Sequence, residues 1–214
     1  MMKASEESPR MFESDLVDFF SRTHPMVVPL VFVPAAGACM YWGVVRHDVG
    51  AIASVVLFVS GAVVWSLIEY WLHRTFFHWE PPGKLGERMH FLVHGVHHKW
   101  PKDKYRLVMP PAVSVSLFFI FLGIFYALLG GRWVWPFHAG FTIGYMSYDL
   151  IHYYIHHYNP KSQYWLRLKK HHMLHHFKTP EVRYGVSSKF WDYAFGTVGE
   201  QPVRRASAEP PAES

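Results

Sequence analysis

Histidine is the residue type whose number and spacing in this chain predict chemistry. The 214 residues include 16 histidines, and ten of them form four groups with the spacings HX4H, HX2HH, HX3H and HX2HH. In chain order these ten are His73, His78, His94, His97, His98, His152, His156, His172, His175 and His176. Imidazole is the commonest metal ligand among side chains. The pattern therefore predicts a histidine-ligated metal centre.

The spacing within each group indicates how the imidazoles can meet. Residues three and four apart are neighbours on a helix, so the HX3H and HX2HH groups each present rings on one helical face. The same geometry lets two histidines of zinc metalloproteases share an ion. His73 and His78, however, are about 140° apart on an ideal helix. These two can converge only if the helix ends or bends between them, which the nearby Pro81-Pro82 favours.

Ten histidines exceed the coordination shell of one ion and suit two metals with four or five ligands each. Structural zinc sites usually close with four ligands, and catalytic ones keep three plus water, so ten imidazoles overfill a zinc site. Imidazole also suits iron and copper. Soluble di-iron bundles use Glu together with Glu-x-x-His pairs, and the sequence has no such pattern. The single cysteine, Cys39, excludes a disulfide framework and any cysteine-ligated iron–sulfur or structural zinc site.

The elements that must position these histidines are apolar. Four stretches are nearly free of charge, and they predict membrane helices at about 26–46, 49–72, 112–131 and 133–151. A helix needs roughly 20 apolar residues to cross a bilayer. The alternative is a buried helix of a soluble protein, and it has most weight for the fourth stretch, which contains Pro136 and His138. We expect an all-α, multi-pass membrane protein with four transmembrane helices and a histidine-rich helical cap.

The distribution of basic residues predicts the orientation of these helices. Four crossings place residues 1–25, 73–111 and 152–214 on one side, with 19 of the 21 lysines and arginines, whereas only Arg46 and Arg132 lie opposite. By the positive-inside rule the termini and the histidines are cytoplasmic. The net charge of +5 then reflects orientation and headgroup attraction, and no motif indicates nucleic-acid binding. We find no signal peptide before the first helix.

The sequence around the histidines resembles the fatty acid hydroxylase superfamily, a group of membrane di-iron oxygenases, and specifically its fatty acid 2-hydroxylases. The resemblance covers about 66–197 and extends over five ordered blocks: EYWLHRTFFHW, MHFLVHGVHHKWPKDKYRLVMPP, YDLIHYYIHH, LKKHHMLHHF and YGVSSKFWDYAFGT. It implies that residues 26–198 form one fatty acid hydroxylase domain, with catalytic segments 73–111 and 152–198, after a cytoplasmic lead at 1–25. Composition indicates that 199–214 is a disordered tail.

The resemblance implies that the ten grouped histidines ligate the metals, without indicating how they divide between two ions. The other histidines fall into two sets: outer-shell or surface residues flanking the motifs, and structural residues outside them. The first set is His90, His157 and His171, and the second is His24, His47 and His138.

Three carboxylates are candidates to accept the second ring N–H of a metal-bound histidine. They are Glu69, Asp149 and Asp103. The alternative interpretation of Glu69 and Asp149 is that each carboxylate extends from its apolar helix to the water at the membrane interface. Five aromatic residues either line an acyl groove or pack at the interface, and we favour packing; they are Tyr148, Tyr153, Tyr154, Trp191 and Phe195.

The resemblance also implies the reaction and its cofactors. Two iron ions would use O2 to hydroxylate C2 of an acyl chain that enters from the bilayer, with no separate acid or base residue; a purified sample could contain zinc instead. Fewer than 26 residues precede the first helix, too few for the cytochrome b5 domain that many relatives carry, and there is no nucleotide-binding fingerprint. We therefore expect a separate electron donor, either cytochrome b5-like or a ferredoxin-type carrier with its reductase. The location would be a bacterial inner membrane or the ER.

Two other functions remain open at this stage. A related desaturase or sterol/carotenoid oxidase shares part of the histidine spacing and would give an alkene or oxidise a ring lipid. A non-enzymatic metal-handling membrane protein needs only the clustered histidines, and it predicts metal exchange without O2 consumption.

Overall fold

The structure, a computed structural model, describes residues 8–199. Between those limits the chain forms helices joined by loops, with no β-strand. This confirms the predicted all-helical class. The helices are α1 (Asp15–Phe20), α2 (Val27–Tyr41), α3 (Ala51–Trp71), α4 (Gly83–His90), α5 (Val96–Lys99), α6 (Pro111–His157), α7 (Gln163–Phe177) and α8 (Phe190–Ala194). The predicted disordered tail lies, apart from its first residue, outside the described residues.

Three helical segments are long and apolar enough to cross a membrane. They are Val27–Arg46, Ala51–Phe77 and Pro111–His157. Large apolar side chains on their outer surfaces are exposed, including Leu30 at 69%, Ile52 at 83% and Leu128 at 73%. Contiguous apolar surface of this kind needs a non-aqueous partner. The lengths and the outward-facing apolar residues together are those of a membrane protein.

Helix α6 reverses its direction at Gly130, where φ is 76° and ψ is 165°. Glycine adopts a positive φ without the steric cost that a Cβ would bring. The rings of Phe121 and Phe141 lie 4.9 Å apart, as do those of Phe125 and Phe137, so the two arms pack antiparallel. We call 111–129 the first arm and 131–157 the second arm. They coincide with the predicted third and fourth membrane helices, although the number of crossings stays a prediction.

Helix α3 packs on the second arm without intervening side chains. A Cβ on Gly61 would lie 2.0 Å from the carbonyl oxygen of Phe137, and one on Gly140 would lie 1.8 Å from that of Phe58. Both distances are far inside van der Waals contact, so only glycine permits this approach. On the histidine side of these contacts, Trp65 packs edge-on against the rings of Phe141 and Tyr145.

The helices that carry histidines depart from regular α-geometry at two places. Helix α3 continues into a π-helical turn over Leu72–Phe77, and α4 continues through another over Phe91–Gly95 into α5. Each turn lies beside metal-binding candidates, which is where π-helical turns are often found.

Candidate metal centre

The structure brings all ten predicted histidines together in two groups of five. Within each group, one ring nitrogen from every residue lies within 4.8 Å of the others. We call them group 1 and group 2. Group 1 contains His73, His78, His94, His98 and His175, and group 2 contains His97, His152, His156, His172 and His176.

Helical spacing explains how the two HX2HH groups divide between the two sites. In each, the residues four apart share a site, whereas the third, about 100° round the helix from its chain neighbour, enters the other site. His94 and His98 therefore join group 1 while His97 joins group 2. The prediction that an HX2HH group presents all its rings on one face was therefore wrong. In the second of these motifs the assignment is reversed, so α7 contributes His175 to group 1 and two residues to group 2. The two groups are thus adjacent, with the rings of His98 and His176 stacked 4.2 Å apart.

A π-helical turn brings His73 and His78 together. Residues five apart come into register in a π-helix, whereas an α-helix separates them. The turn Leu72–Phe77 contains His73 and ends at His78, and their ring centroids lie 5.2 Å apart. The helix therefore changes geometry between these residues, as convergence of the HX4H pair requires.

Backbone carbonyls set the orientation of two imidazoles in group 1. Nδ1 of His73 lies 2.5 Å from the carbonyl oxygen of Tyr184, and Nδ1 of His175 lies 2.8 Å from that of Val182. A carbonyl only accepts, so each Nδ1 carries the proton and each Nε2 carries a lone pair. Nε2 of His175 faces Nε2 of His78 at 3.1 Å.

In group 2, the ring nitrogens are crowded around His172. Its Nε2 lies 2.9 Å from Nε2 of His152, 2.8 Å from that of His156 and 3.0 Å from that of His176. This nitrogen has either one N–H or one lone pair, so it can form a hydrogen bond in only one of these contacts, and the other two are unsatisfied unless a cation lies between the nitrogens. Neighbouring nitrogens bound to one ion at about 2.1 Å and at right angles lie about 3 Å apart. The donor set therefore fits a metal ion.

Burial and mutual repulsion keep the imidazoles neutral. Burial first, and the neighbouring imidazoles second, lower the pKa of His97 and of His172 well below the ordinary value of 6.5. The same two causes lower the pKa of His78 to about 4 and that of His98 to about 3. Since a metal binds only the neutral imidazole, these rings are in the ligating form at neutral pH.

Glu69 is buried at 4% exposure and holds the segment that orients group 1. Its Oε1 accepts hydrogen bonds from the backbone N–H groups of Val186 at 2.9 Å and Ser187 at 2.8 Å, and Oε2 accepts one from the Ser187 hydroxyl. We call residues 182–188 the carbonyl loop, since it supplies the carbonyls of Val182 and Tyr184. Glu69 thus reaches His73 through this loop rather than by direct contact.

The other two predicted carboxylates also bond to groups other than the ten histidines. Asp149 accepts hydrogen bonds from the Tyr145 hydroxyl at 2.8 Å and from the backbone N–H of Met109 at 3.2 Å. Asp103 pairs with Arg106 at 3.3 Å. A supporting role for either at the metal centre stays a prediction.

Sequence reasoning missed Asp192, which is fully buried. Its Oδ2 lies 2.8 Å from Nε2 of His171 and 2.9 Å from the backbone nitrogen of Gly185, and its Oδ1 accepts a hydrogen bond from the backbone N–H of Tyr184 at 2.9 Å. It therefore supports the carbonyl loop at Tyr184 and Gly185, whereas Glu69 supports it at Val186 and Ser187. A signal existed, because Asp192 is the only carboxylate in the block 184–197.

A large apolar cavity reaches both groups. It measures about 650 Å³, and its lining includes His94 of group 1 together with His97 and His152 of group 2. Tyr148 also lines it. Trp191 and Phe195 instead stack on each other at 5.8 Å. An apolar chain in this cavity would meet the histidines at its polar end.

Comparison with known proteins gives a consistent set of matches. The sequence model of the fatty acid hydroxylase family matches residues 58–197. The chain is 40% identical over 180 residues to a ceramide very long chain fatty acid hydroxylase of Saccharomyces cerevisiae, covering 83% of this chain and 46% of that protein. It is 36% identical over 196 residues to a dihydroceramide fatty acyl 2-hydroxylase of Arabidopsis thaliana, covering 91% of this chain and 82% of the relative.

A solved structure shares the fold. The chain superposes with a TM-score of 0.82 and 38% identity on full-length Scs7p, in which only the hydroxylase domain is visible, covering 87% of this chain and 70% of the other. A fatty acid 2-hydroxylase of Rattus norvegicus is 36% identical over 212 residues, covering 88% of this chain and 56% of the relative. The chain thus spans about half the length of the yeast and rat relatives.

Proposed function

The chain belongs to the fatty acid hydroxylase family, and from this premise we propose that it is a membrane-bound, O2-dependent fatty acid 2-hydroxylase. It would hydroxylate C2 of an acyl chain, either free or in a sphingolipid or ceramide. One observation carries the proposal: two groups of five imidazoles, seven of the ten buried, open into one apolar cavity. The relatives named above as 2-hydroxylases support the same position of attack.

The residues of the two groups would hold two iron ions, one in each group. Iron would supply the activation of O2 that an unactivated C–H bond requires. The chain's own part is to keep ten imidazoles neutral and to aim their Nε2 atoms inward. The carbonyls of Tyr184 and Val182 do this for His73 and His175 by fixing the proton on Nδ1. Imidazole sites also bind zinc with higher affinity than ferrous iron, so a purified sample could contain zinc.

The apolar cavity would orient the acyl chain and exclude water. Its walls include Leu117, Phe121 and Tyr148 of α6, and its histidines lie where α3 and α6 leave the apolar region. A chain with C2 at the histidines would extend its tail toward the membrane-spanning part of the fold. Exclusion of water also protects reactive intermediates from side reactions.

The topology that suits this reaction has four crossings, with the two arms of α6 counted separately. The termini and both histidine groups would then be cytoplasmic, because nearly all lysines and arginines lie on that side. A separate electron donor, either cytochrome b5-like or ferredoxin-type with a reductase, would approach this basic surface, since complementary charge speeds encounter. The membrane would be a bacterial inner membrane or the ER.

The test is lipid mass spectrometry of cells that express the protein and are fed a fatty acid with two deuterium atoms at C2. The wild type is expected to give a product that has lost one deuterium and gained one oxygen at C2, with the oxygen derived from 18O2. His97→Ala is expected to give none. His47→Ala is the matched control, because His47 stacks on Trp135 away from both groups and should leave the product unchanged.

Two results would contradict the proposal. An alkene that keeps both deuterium atoms at C2 would indicate a desaturase. Metal uptake by the expressing cells with no oxygenated lipid would indicate a metal-handling protein.

A further inference from the structure

A second, smaller cavity continues the histidine cavity into the helical bundle. We call it the inner cavity; its free volume is about 40 Å³. Six residues line both cavities: Leu72, Phe77, Met109, Leu117, Phe121 and Tyr148. The two spaces therefore lie end to end.

One face of the second arm runs along both spaces. His138, Thr142, Tyr145 and Tyr148 line the inner cavity, and Tyr148 and His152 line the larger one. Steps of three and four residues keep these side chains on one side of the helix. His138 and His152 are 14 residues apart, which is about 21 Å along a helix axis.

The inner cavity is lined by three buried polar side chains that the protein leaves unsatisfied, two of them at its far end and one, Trp65, beside Tyr145 and Tyr148. They are His138, Thr142 and Trp65, which are 0%, 2% and 6% exposed. Neither ring nitrogen of His138, nor the hydroxyl of Thr142, nor Nε1 of Trp65 makes a hydrogen bond of acceptable geometry to a described residue, although the Phe118 carbonyl lies near His138. Buried polar groups without partners are rare, and a polar site with room usually holds ordered water.

Aromatic rings and close helix packing close this end of the cavity. The ring of His138 lies 4.5 Å from that of Phe118 and 5.9 Å from that of Phe141, with which it stacks. At the same level α3 touches the second arm through Gly140, and Ala139 packs against α2. An extended chain has no straight path beyond His138.

We propose that the terminal carbons of an acyl chain whose C2 lies at the histidine groups enter the inner cavity, and that water held by His138 and Thr142 limits the chain length. This inference rests on the proposed 2-hydroxylation. An extended chain advances about 1.2 Å per bond, so 21 Å holds about 17 bonds beyond C2; a water at the far end takes the place of the last one or two carbons, which leaves room for acyl chains of about 18 carbons. A longer chain would expel the water and leave His138 and Thr142 facing a methyl end, which is unfavourable.

The inner cavity has space for this water. About 10–15 Å³ suffices for one molecule, so 40 Å³ accommodates one to three molecules or chain atoms of the same size. His138 and Thr142, four residues apart on one face of the second arm, each donate and accept hydrogen bonds. A water bound between them can therefore satisfy both side chains.

The experiment supplies expressing cells with an equimolar mixture of saturated fatty acids of 14 to 24 carbons, each deuterated at C2. The 2-hydroxylated products are quantified by mass and normalised to the unhydroxylated pool of each length. The wild type is expected to process chains of up to about 18 carbons and to discriminate about tenfold or more against those of 22, since single methylenes in a fitted pocket carry factors of this size.

Two variants test the residues themselves. His138→Ala removes the ring at the closed end, and the ratio of 22-carbon to 16-carbon product is expected to rise about tenfold. Trp42→Ala is the control, because Trp42 packs against Trp135 at 6.0 Å and lines neither cavity; it should leave that ratio unchanged. Thr142→Ala is the second variant in case His138→Ala does not fold, with a smaller rise in the same direction.

The results separate this inference from the proposed function. A wild type that hydroxylates 22-carbon and 16-carbon chains equally overturns the inference and leaves 2-hydroxylation standing. An unchanged ratio in both His138→Ala and Thr142→Ala does the same. Absence of any 2-hydroxy lipid from the wild type rejects the proposed function instead.

Discussion

The two histidine groups have the same number of ligands but are built in different ways. Group 2 stands mostly on regular helix: His152 and His156 are four apart on α6, and His172 and His176 are four apart on α7. Group 1 depends on irregular backbone, because the pair His73 and His78 needs a π-helical turn.

The two groups also differ in how their imidazole rings are oriented. In group 1, the carbonyl loop fixes Nδ1 of His73 and His175, whereas in group 2 Nδ1 of His172 and of His176 has no hydrogen-bond partner among residues 8–199. Helix geometry therefore aims His172 and His176 of group 2, while group 1 relies on a distant segment held by two buried carboxylates. A substitution that loosens the carbonyl loop should therefore weaken metal binding in group 1 and leave group 2 unchanged.

The largest effect is expected from removing the central ligand of group 2. His172→Ala deletes the Nε2 that three other imidazoles face, so the bound metal should fall from two ions per chain to one. 2-Hydroxylation should fall below about 1% of wild type, because loss of a metal ligand costs more than the 10–100-fold typical of residues that only support a ligand. Metal content by plasma mass spectrometry and product analysis check this. Loss of both ions would show that the groups do not fill independently, and His47→Ala serves as the control.

Removing the anchor of the carbonyl loop should affect group 1 alone. Glu69→Ala leaves the N–H groups of Val186 and Ser187 without their acceptor and frees the carbonyls that orient His73 and His175. We expect the metal affinity of one site to fall about 10–100-fold while the other keeps its ion. Competition with a chelator, followed by metal analysis of the protein, measures the two affinities. Equal weakening of both sites would contradict the proposed division of labour.

Acidification should destabilise the metal-free protein in a defined range. Burial lowers the pKa of His78 and of His175 to about 4 and that of His98 to about 3, whereas the unfolded chain binds protons near pH 6.5. Stability is therefore fully present above pH 6.5 and is lost as the pH falls toward 4, because only the unfolded state gains protons there. Thermal unfolding followed by circular dichroism should show a drop in Tm of about 5 °C or more. A Tm that does not change between pH 7 and 5 would contradict this.

The smallest effect is expected from changing Phe195, a residue beyond the carbonyl loop that contributes to packing only. Phe195 stacks on Tyr70 at 5.1 Å and lines neither cavity. Phe195→Leu should lower the free energy of unfolding by about 1 kcal/mol, a typical value for a packing change, and leave product formation and metal content unchanged. Denaturant unfolding and metal analysis measure both. A selective loss of metal from group 1 would show that the whole segment up to Phe195 orients the ligands.

Much of this molecule was predictable because its signals are local. The apolar runs that became α2, α3 and the two arms of α6 could be identified from length and lack of charge, as membrane insertion depends on composition. The reversal at Gly130 agreed with the expected boundary between the third and fourth helices. The ten histidines were identifiable from spacing and from the family blocks around them.

The contacts that cross the chain were not predictable in this way. Asp192 was overlooked, and Glu69 was expected beside a histidine but bonds to the carbonyl loop more than 115 residues away in sequence. For His138, which lies outside the motifs, the sequence predicts a structural role and gives no sign that it lines the inner cavity together with Thr142. Spacing gives no information on which distant segments meet.

The sequence by itself determined that this protein is helical, has apolar helices long enough to cross a membrane and carries ten histidines with the spacing of metal ligands, because periodicity and composition are properties of neighbouring residues. Only the tertiary structure decided how those histidines divide into two groups of five. Each group takes rings from at least three separate segments, and which nitrogens converge depends on helix packing, on a π-helical turn and on carbonyls of the loop at 182–188. These are relations between distant parts of the chain, and they exist only once it has folded.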